Sequence, residues 1–139
     1  METVISMVYI SKLCDACKNL TNMEVQESTT TGELTWYFTY KCRSCGSVVE
    51  GDDVGHLPEE LRKLVMAEEG EWILRIDEVP KEKIKLMKIL RQLLDLDLNS
   101  ISGLLKTIPG NVKSGTWAEM EVIRKKLSQE GFHATIVVK

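Results

Sequence analysis

The sequence predicts a mixed α+β fold of two small domains joined by a short helix. Three observations support this prediction. Residues 1–50 place four cysteines, in two matched pairs, among short strand-like segments. Residues 51–70 form an acidic connector with one amphipathic stretch. Residues 71–139 alternate strand-like segments with three stretches of helical periodicity, which favours a β-α-α-β-α-β layer.

Charge is distributed unevenly along these three regions. The first carries four basic and six acidic side chains, the second two and six, and the third twelve and nine. The regional net charges are therefore −2, −4 and +3, within a formal total of −3. Because neither end is a basic arm, general affinity for nucleic acid is not indicated.

Nothing in the sequence indicates a membrane or secretory protein. No apolar run approaches the roughly 18 residues that cross a bilayer. The first four residues contain no basic n-region, so no secretory signal is expected. We therefore expect a cytoplasmic protein without membrane contact.

The cysteines form two C-x-x-C pairs, Cys14 with Cys17 and Cys42 with Cys45. Two such pairs bring four thiolates around one tetrahedral Zn²⁺, and Gly46 suits the tight turn after the second pair. Four protein ligands leave no open position, so one structural zinc ion is expected. The alternatives are two disulfides, which a reducing cytosol disfavours, or a redox motif, which would need a surrounding βαβ pattern.

The segment between the pairs reads as a β-hairpin. Strands are expected at 22–27 and 33–41, with a turn at 28–32 and further short strands at 7–10 and 47–50. This arrangement resembles a zinc ribbon, although the 24 residues between the pairs exceed the usual spacing. Because so small a domain has little core, metal binding should supply much of its folding free energy.

Three aromatic residues of the return strand, Trp36, Phe38 and Tyr40, fall on one face. Aromatic side chains on a ribbon can stack on unpaired bases, with Lys41 and Arg43 contacting phosphates. More often such residues cover the hairpin or meet a second domain, and packing is the favoured interpretation.

The connector is expected to break at residues 51–55, a glycine-rich acidic stretch. Pro58 then suits the start of a short helix that bridges the two domains and stops near Gly70. Its apolar side comprises Leu57, Leu61, Leu64 and Val65. His56 beside Asp52 and Asp53 is interpreted as a solvated loop rather than a metal site.

Residues 71–139 contain six expected elements. A strand at 71–76 precedes a helix at 81–94, and Asp97 or Asn99 caps a second helix. Thr116 and Glu119 have the spacing of a capping box that opens a third helix. A strand at 132–138 closes the domain, and Val112 lies in a middle strand. Without that strand the order would be β-α-α-α-β.

The helix at 81–94 has two apolar surfaces. Its core-facing stripe comprises Leu86, Ile89, Leu90 and Leu93. Ile84 points about 160° away from the centre of that stripe. We define the docking face as this second surface, and it comprises Lys83, Ile84, Met87, Lys88 and Arg91. Alternatively, Ile84 and Met87 pack on a neighbouring loop or domain.

Residues 71–139 resemble the C-terminal domain of the large-subunit ribosomal stalk protein, which recruits translational GTPases. The matching positions are the run 83–91, Leu96, Leu98, Leu104, Leu105, Pro109, the run 113–115, the run 124–127, Glu130, Gly131 and Lys139. In that family, basic and apolar residues of the first long helix bind the factors. The resemblance therefore implies that the docking face binds a protein.

The chain departs from this family beside the docking face. Asp95 and Asp97 stand where the family has glycines, and Asn99 and Ser102 stand where it has lysines. A cysteine-rich domain also replaces the family's N-terminal dimerisation region. These changes preserve the expected fold, but they put the identity of the partner in doubt.

A non-enzymatic adaptor is the function that these observations favour. The chain has two histidines, no glycine-rich phosphate loop and no evident nucleophile–base pair. The expected partner is a protein related to the ribosome or to translation factors. The alternatives are an inhibitor or immunity-type protein that binds a toxin or an enzyme, and nucleic-acid binding through the ribbon.

Overall fold

A computed structural model describes residues 5–139, and the expectation about a leader in the first four residues lies outside this range. The chain divides into two compact units, with the boundary between Gly70 and Glu71. Each unit contains one antiparallel sheet, and the described residues include four helices. The mixed α+β class is confirmed. No helix in the described part of the chain combines the length and apolarity needed to cross a membrane.

The first unit is a four-stranded antiparallel meander followed by one helix. Its strands are β1 (Ile5–Leu13), β2 (Leu20–Ser28), β3 (Thr35–Lys41) and β4 (Val48–Val54), in that spatial order. The helix is α1 (Glu59–Glu69). β1, β2 and β4 extend beyond the expected segments, and β1 pairs with β2 from Ile5 to Leu13, whereas β3 begins at Thr35, two residues later than expected.

The core of the first unit lies between one face of this sheet and α1. Leu57, Leu61 and Val65 are buried there against Ile10 and Val25 of the sheet. Residues 57–65 therefore complete the core of the first unit, whereas the sequence suggested a bridge between domains. Without α1, the apolar sheet face would remain in water.

The prediction of a flexible break at residues 51–55 is wrong for most of that segment, because β4 continues to Val54 and pairs with β3. Gly51 lies opposite Phe38 in this ladder. A Cβ atom at Gly51 would lie 2.7 Å from the Phe38 ring, so the glycine makes room for the aromatic side chain. A glycine is required at this position because an aromatic ring packs closely against the backbone, and not because the chain turns here.

The second unit comprises a three-stranded sheet and three helices. In chain order they are β5 (Trp72–Ile76), α2 (Lys83–Leu94), α3 (Leu98–Leu105), β6 (Gly110–Gly115), α4 (Trp117–Gln129) and β7 (Thr135–Val138). The central strand β5 pairs with β6 and β7, both antiparallel. Leu74, Leu86, Leu90 and Leu127 are fully buried in one apolar cluster.

Both predicted helix caps in this unit are present. The Thr116 side chain accepts a hydrogen bond from the Glu119 N–H, and the Glu119 carboxylate accepts one from the Thr116 N–H. This is the predicted capping box. At α3, Asp97 is the cap, and its Oδ1 lies 2.7 Å from the Ser100 nitrogen. These caps fix where α3 and α4 begin.

Candidate functional site

The four cysteines lie in two turns of matching shape, which we call the first knuckle (residues 14–19) and the second knuckle (residues 42–47). The first joins β1 to β2, and the second joins β3 to β4. In the first, the Lys18 N–H donates to the Cys14 carbonyl at 2.8 Å. In the second, Gly46 donates to Cys42 at the same distance. Both donors have positive φ, 64° for Lys18 and 76° for Gly46, so the two backbones turn in the same way.

The knuckles bring all four sulfur atoms together. The four Sγ atoms lie within 4.8 Å of one another, and Cys14, Cys17, Cys42 and Cys45 form no disulfide. Cys14 Sγ lies 3.7 Å from Cys45 Sγ, and Cys17 Sγ lies 3.5 Å from Cys42 Sγ. Zn–S bonds of about 2.3 Å in a tetrahedron require sulfur atoms about 3.8 Å apart. The cluster thus has the composition and spacing of a metal site.

Each knuckle supplies a polar side chain to its second cysteine. Asn19 Nδ2 donates to Cys17 Sγ at 3.5 Å, and Ser47 Oγ lies 3.1 Å from Cys45 Sγ. Asn19 and Ser47 occupy equivalent positions, two residues after the second cysteine of their pair. Such contacts orient ligands and stabilise negative sulfur. Neither residue was predicted as part of the site, although their matched spacing is visible in the sequence.

The surroundings shift the pKa values of Cys17, Cys42 and Cys45 in different directions. The Ser47 hydroxyl and the Ser47 N–H lower the pKa of Cys45 to about 6. The backbone N–H of Cys45 is the main cause that lowers the pKa of Cys42. For Cys17, the Asn19 N–H lowers the pKa, but burial and the thiols of Cys42 and Cys45 outweigh it, and the pKa rises to about 11. Four thiolates this close repel one another, and a bound cation would offset that repulsion.

Tyr40 connects the first knuckle to β3. Its hydroxyl donates to Asp15 Oδ2 at 3.3 Å. Lys12 Nζ lies 3.6 Å from the same Asp15 oxygen and 4.7 Å from the centroid of the Tyr40 ring. The side chains of Lys12, Asp15 and Tyr40 thereby support the turn that carries Cys14 and Cys17.

The three aromatic residues on one face of β3, Trp36, Phe38 and Tyr40, pack within the first unit. Tyr40 is 2% exposed, and Trp36 and Phe38 pack against the same core. The rings of Trp36 and Phe38 stack with their centroids 6.1 Å apart and their planes inclined by 12°. This is the arrangement that the packing interpretation predicted.

The docking face of α2 is exposed except at its centre. Ile84 is 68% exposed, and Lys83, Lys88 and Arg91 are also exposed. Met87 is half-buried and packs against the core of the second unit. The wheel alone could not show this contact, because it carries no information on what lies beside the helix. Four of the five residues therefore remain available to a partner, with Met87 partly so.

The cations along α2 differ in their partners. Lys85 Nζ, outside the docking face, lies 3.7 Å from Glu82 and 3.8 Å from Glu130. Within residues 5–139, no ion pair joins Lys83 or Lys88 to a carboxylate. The pKa of Asp97 is lowered mainly by the Ser100 N–H, and the charge of Arg91 contributes. Lys83 and Lys88 are thus the cations of this face that lack an acidic partner among the described residues, whereas the charge of Arg91 interacts with that of Asp97.

No protein-family model matches the chain, and no curated protein matches it significantly. The resemblance of residues 71–139 to the ribosomal stalk domain therefore rests on the matching residues of the sequence.

Proposed function

We propose that the chain is a non-enzymatic adaptor that binds a protein partner through the docking face of α2. The observation that carries this proposal is the exposure of Ile84, 68%, on a helix whose opposite side carries the fully buried Leu86 and Leu90. Isolated apolar residues on a surface are common. Here, however, the isoleucine lies on the same helix face as Lys83 and Lys88, and neither lysine forms an ion pair among residues 5–139. This combination suits an acidic partner surface with an apolar pocket.

The cysteine cluster supports a structural role for the first unit. We assign it one zinc ion held by Cys14, Cys17, Cys42 and Cys45. Cysteine-only donor sets of this spacing suit zinc, and a fully occupied tetrahedron has no position for a substrate. The zinc would therefore hold the two knuckles together without taking part in any reaction.

The partner class that we favour is a translational GTPase, because residues 71–139 resemble the stalk domain that recruits these enzymes. The carboxylates of Asp95 and Asp97 lie close to α2 in sequence and are absent from that family. These two carboxylates should reduce the number of translational GTPases that bind, because they weaken the electrostatic attraction between this end of α2 and an acidic surface. Nucleic-acid binding is not proposed, since the β3 aromatics are occupied in packing.

The test is direct binding between the purified protein and a purified translational GTPase, measured by calorimetry. Ile84→Ser should weaken the complex by roughly 1–2 kcal/mol, as expected when an interface anchor is truncated. Val138, 57% exposed on β7 and outside the docking face, offers a matched control as Val138→Ser. Absence of binding would exclude this partner class, and equal effects of the two substitutions would exclude the docking face.

A further inference from the structure

A groove of about 350 Å³ lies in the second unit between α3 and the segment that precedes α2. Four apolar residues line it, namely Val79, Pro80, Leu105 and Ile108. Val79 is 62% exposed, so part of this apolar surface faces water. The volume is at the low end of the range for small-molecule sites, about 300–1,000 Å³, and suits one or two inserted side chains.

The polar lining of the groove is positively charged. It consists of Lys83, Ser102 and Lys106, with no carboxylate. Within the described residues 5–139, neither lysine forms an ion pair with an acidic side chain. An incoming carboxylate would therefore meet two ammonium groups that have no competing partner within the unit.

A neighbouring pocket differs from the groove in the charges of its lining residues. It has a similar volume, about 350 Å³, and shares Val79 and Pro80 with the groove. Its charged lining is mixed, with Glu78, Lys81 and Glu82. The two pockets have a common apolar wall, yet only the groove beside α3 is free of acidic residues. Charge complementarity thus directs an acidic ligand to the groove.

We propose that the groove binds an acidic peptide segment of a protein partner. One large apolar side chain of the peptide enters between Pro80 and Leu105, and flanking carboxylates pair with Lys83 and Lys106. Lys83 also belongs to the docking face, so a single partner could occupy both surfaces. The inference rests on the proposed adaptor function and adds the chemistry of the segment that is recognised.

The experiment begins with the full chain and a displayed library of random dodecapeptides. Selected peptides should share one large apolar residue flanked by Asp or Glu. Enrichment of uncharged or basic peptides, or no enrichment above an empty support, would overturn the proposal. A fluorescein-labelled peptide of the selected sequence then serves as the probe for variants, with fluorescence anisotropy as the measurement.

Lys106→Glu should weaken binding of this probe by about tenfold or more, because it reverses one of the two charges in the groove. Ser102→Trp, at an exposed position in the lining, should weaken it by a similar factor by filling the groove. Lys81→Glu makes the same charge reversal in the neighbouring pocket and should change binding by less than about twofold. If Lys81→Glu acts as strongly as Lys106→Glu, general charge attraction explains the binding and the groove proposal fails.

Ile84→Ser separates this inference from the proposed function. We expect the variant to bind the probe almost as well as the parent, because Ile84 does not line the groove. Loss of probe binding in Ile84→Ser, together with retained binding in Lys106→Glu, would move the peptide onto the docking face and overturn the groove. If no translational GTPase binds but the variants change binding of the labelled peptide as predicted, the proposed partner class is wrong and the groove proposal stands.

Discussion

The two units have similar size and a similar plan, a small antiparallel sheet with helical cover, but their cores differ in composition. In the second unit, the described core contains eleven buried apolar residues and no cysteine. In the first unit, the described core contains nine buried residues, and two of them are Cys14 and Cys42. The core of the second unit thus consists of apolar side chains without cysteine, whereas the core of the first unit includes two members of the four-cysteine cluster.

Because their cores differ in this way, we expect different interactions to stabilise the two units. Burial of apolar side chains stabilises the second unit whatever the metal content of the solution. The first unit brings four cysteine sulfur atoms together, and as thiolates they would repel one another, so we expect its stability to depend on a bound cation. Since the sequence also gives residues 1–70 a net charge of −6 and residues 71–139 a charge of +3, the units should respond differently to chelators, acid and substitution.

The largest effect is expected from Cys42→Ser. The parent protein, purified without added zinc, should contain about one equivalent of zinc, as a four-cysteine site requires. Cys42→Ser should lose the metal and unfold the first unit, because Cys42 is both a buried core residue and one of the four proposed ligands. Metal analysis and circular dichroism test this, and the helical signal of the second unit should remain.

Ser44→Ala is the matched control, since Ser44 lies in the same knuckle with its side chain exposed. It should leave the metal content and the folding unchanged. Well under one equivalent of zinc in the parent, together with disulfides, would contradict the metal assignment. Collapse of both units in Cys42→Ser would show that their stabilities are not independent.

The next effect is expected in the second unit, from Leu90→Ser. Leu90 is fully buried in the apolar core, so the substitution removes hydrocarbon and buries a hydroxyl. The free energy of unfolding of this unit should fall by about 4 kcal/mol. Urea unfolding followed by circular dichroism measures the change, while the metal content of the first unit should stay the same.

Ile84→Ser on the same helix is the comparison for Leu90→Ser. Because Ile84 is mostly exposed, its replacement should change stability by no more than about 0.5 kcal/mol. An equal loss of stability in both variants would show that Ile84 is interior packing, and the docking face would lose its main support.

Local patterns in the sequence predicted much of this fold. The periodicity of Leu86 and Leu90 identified the buried side of α2, and both side chains are fully buried. The spacing of Thr116 and Glu119 identified the start of α4. Such features depend on neighbours within one turn of chain, so sequence alone determines them.

Features that depend on distant partners could not be predicted in the same way. Gly51 was interpreted as a break because nothing nearby in sequence indicates that the Phe38 ring lies over it. The helical wheel left open whether Met87 is exposed or packed, and only the tertiary fold shows that it packs against the core. The groove beside α3 combines Val79 with Ile108, and only the tertiary fold brings these residues together.

A smaller effect than that of Leu90→Ser is expected in the first unit from Trp36→Ala. Trp36 is half-buried and stacks on Phe38, so its loss should lower the stability of this unit by about 3 kcal/mol. The neighbouring Tyr37→Ala, on the other face of β3, should cost less, since Tyr37 lies outside the described core. Chemical unfolding with saturating zinc measures both changes. If Trp36→Ala kept full stability but abolished binding to single-stranded nucleic acid, the ribbon would be a nucleic-acid interface.

The smallest effect concerns pH and belongs to Asp97 in the second unit. The Ser100 N–H, together with the charge of Arg91, lowers the pKa of the folded carboxyl below its ordinary value of 3.8. The unfolded chain therefore binds the proton more readily than the folded one, so this contribution to stability is present above about pH 4 and disappears as the pH falls through the folded pKa.

Asp97→Asn keeps a capping side chain on α3 but removes the titration. In residues 71–139 expressed alone, the melting temperature of the parent should exceed that of Asp97→Asn at neutral pH, and the gap should close towards about pH 3. Asp95→Asn, two residues earlier at the end of α2, is the control, because Asp97 is the residue that caps α3. A gap that stayed constant with pH, or an identical pH dependence in Asp95→Asn, would show that the charge on Asp97 does not stabilise the start of α3. Because this effect involves no metal ligand, it should be the same in the intact chain with or without zinc, unlike the effects expected in the first unit.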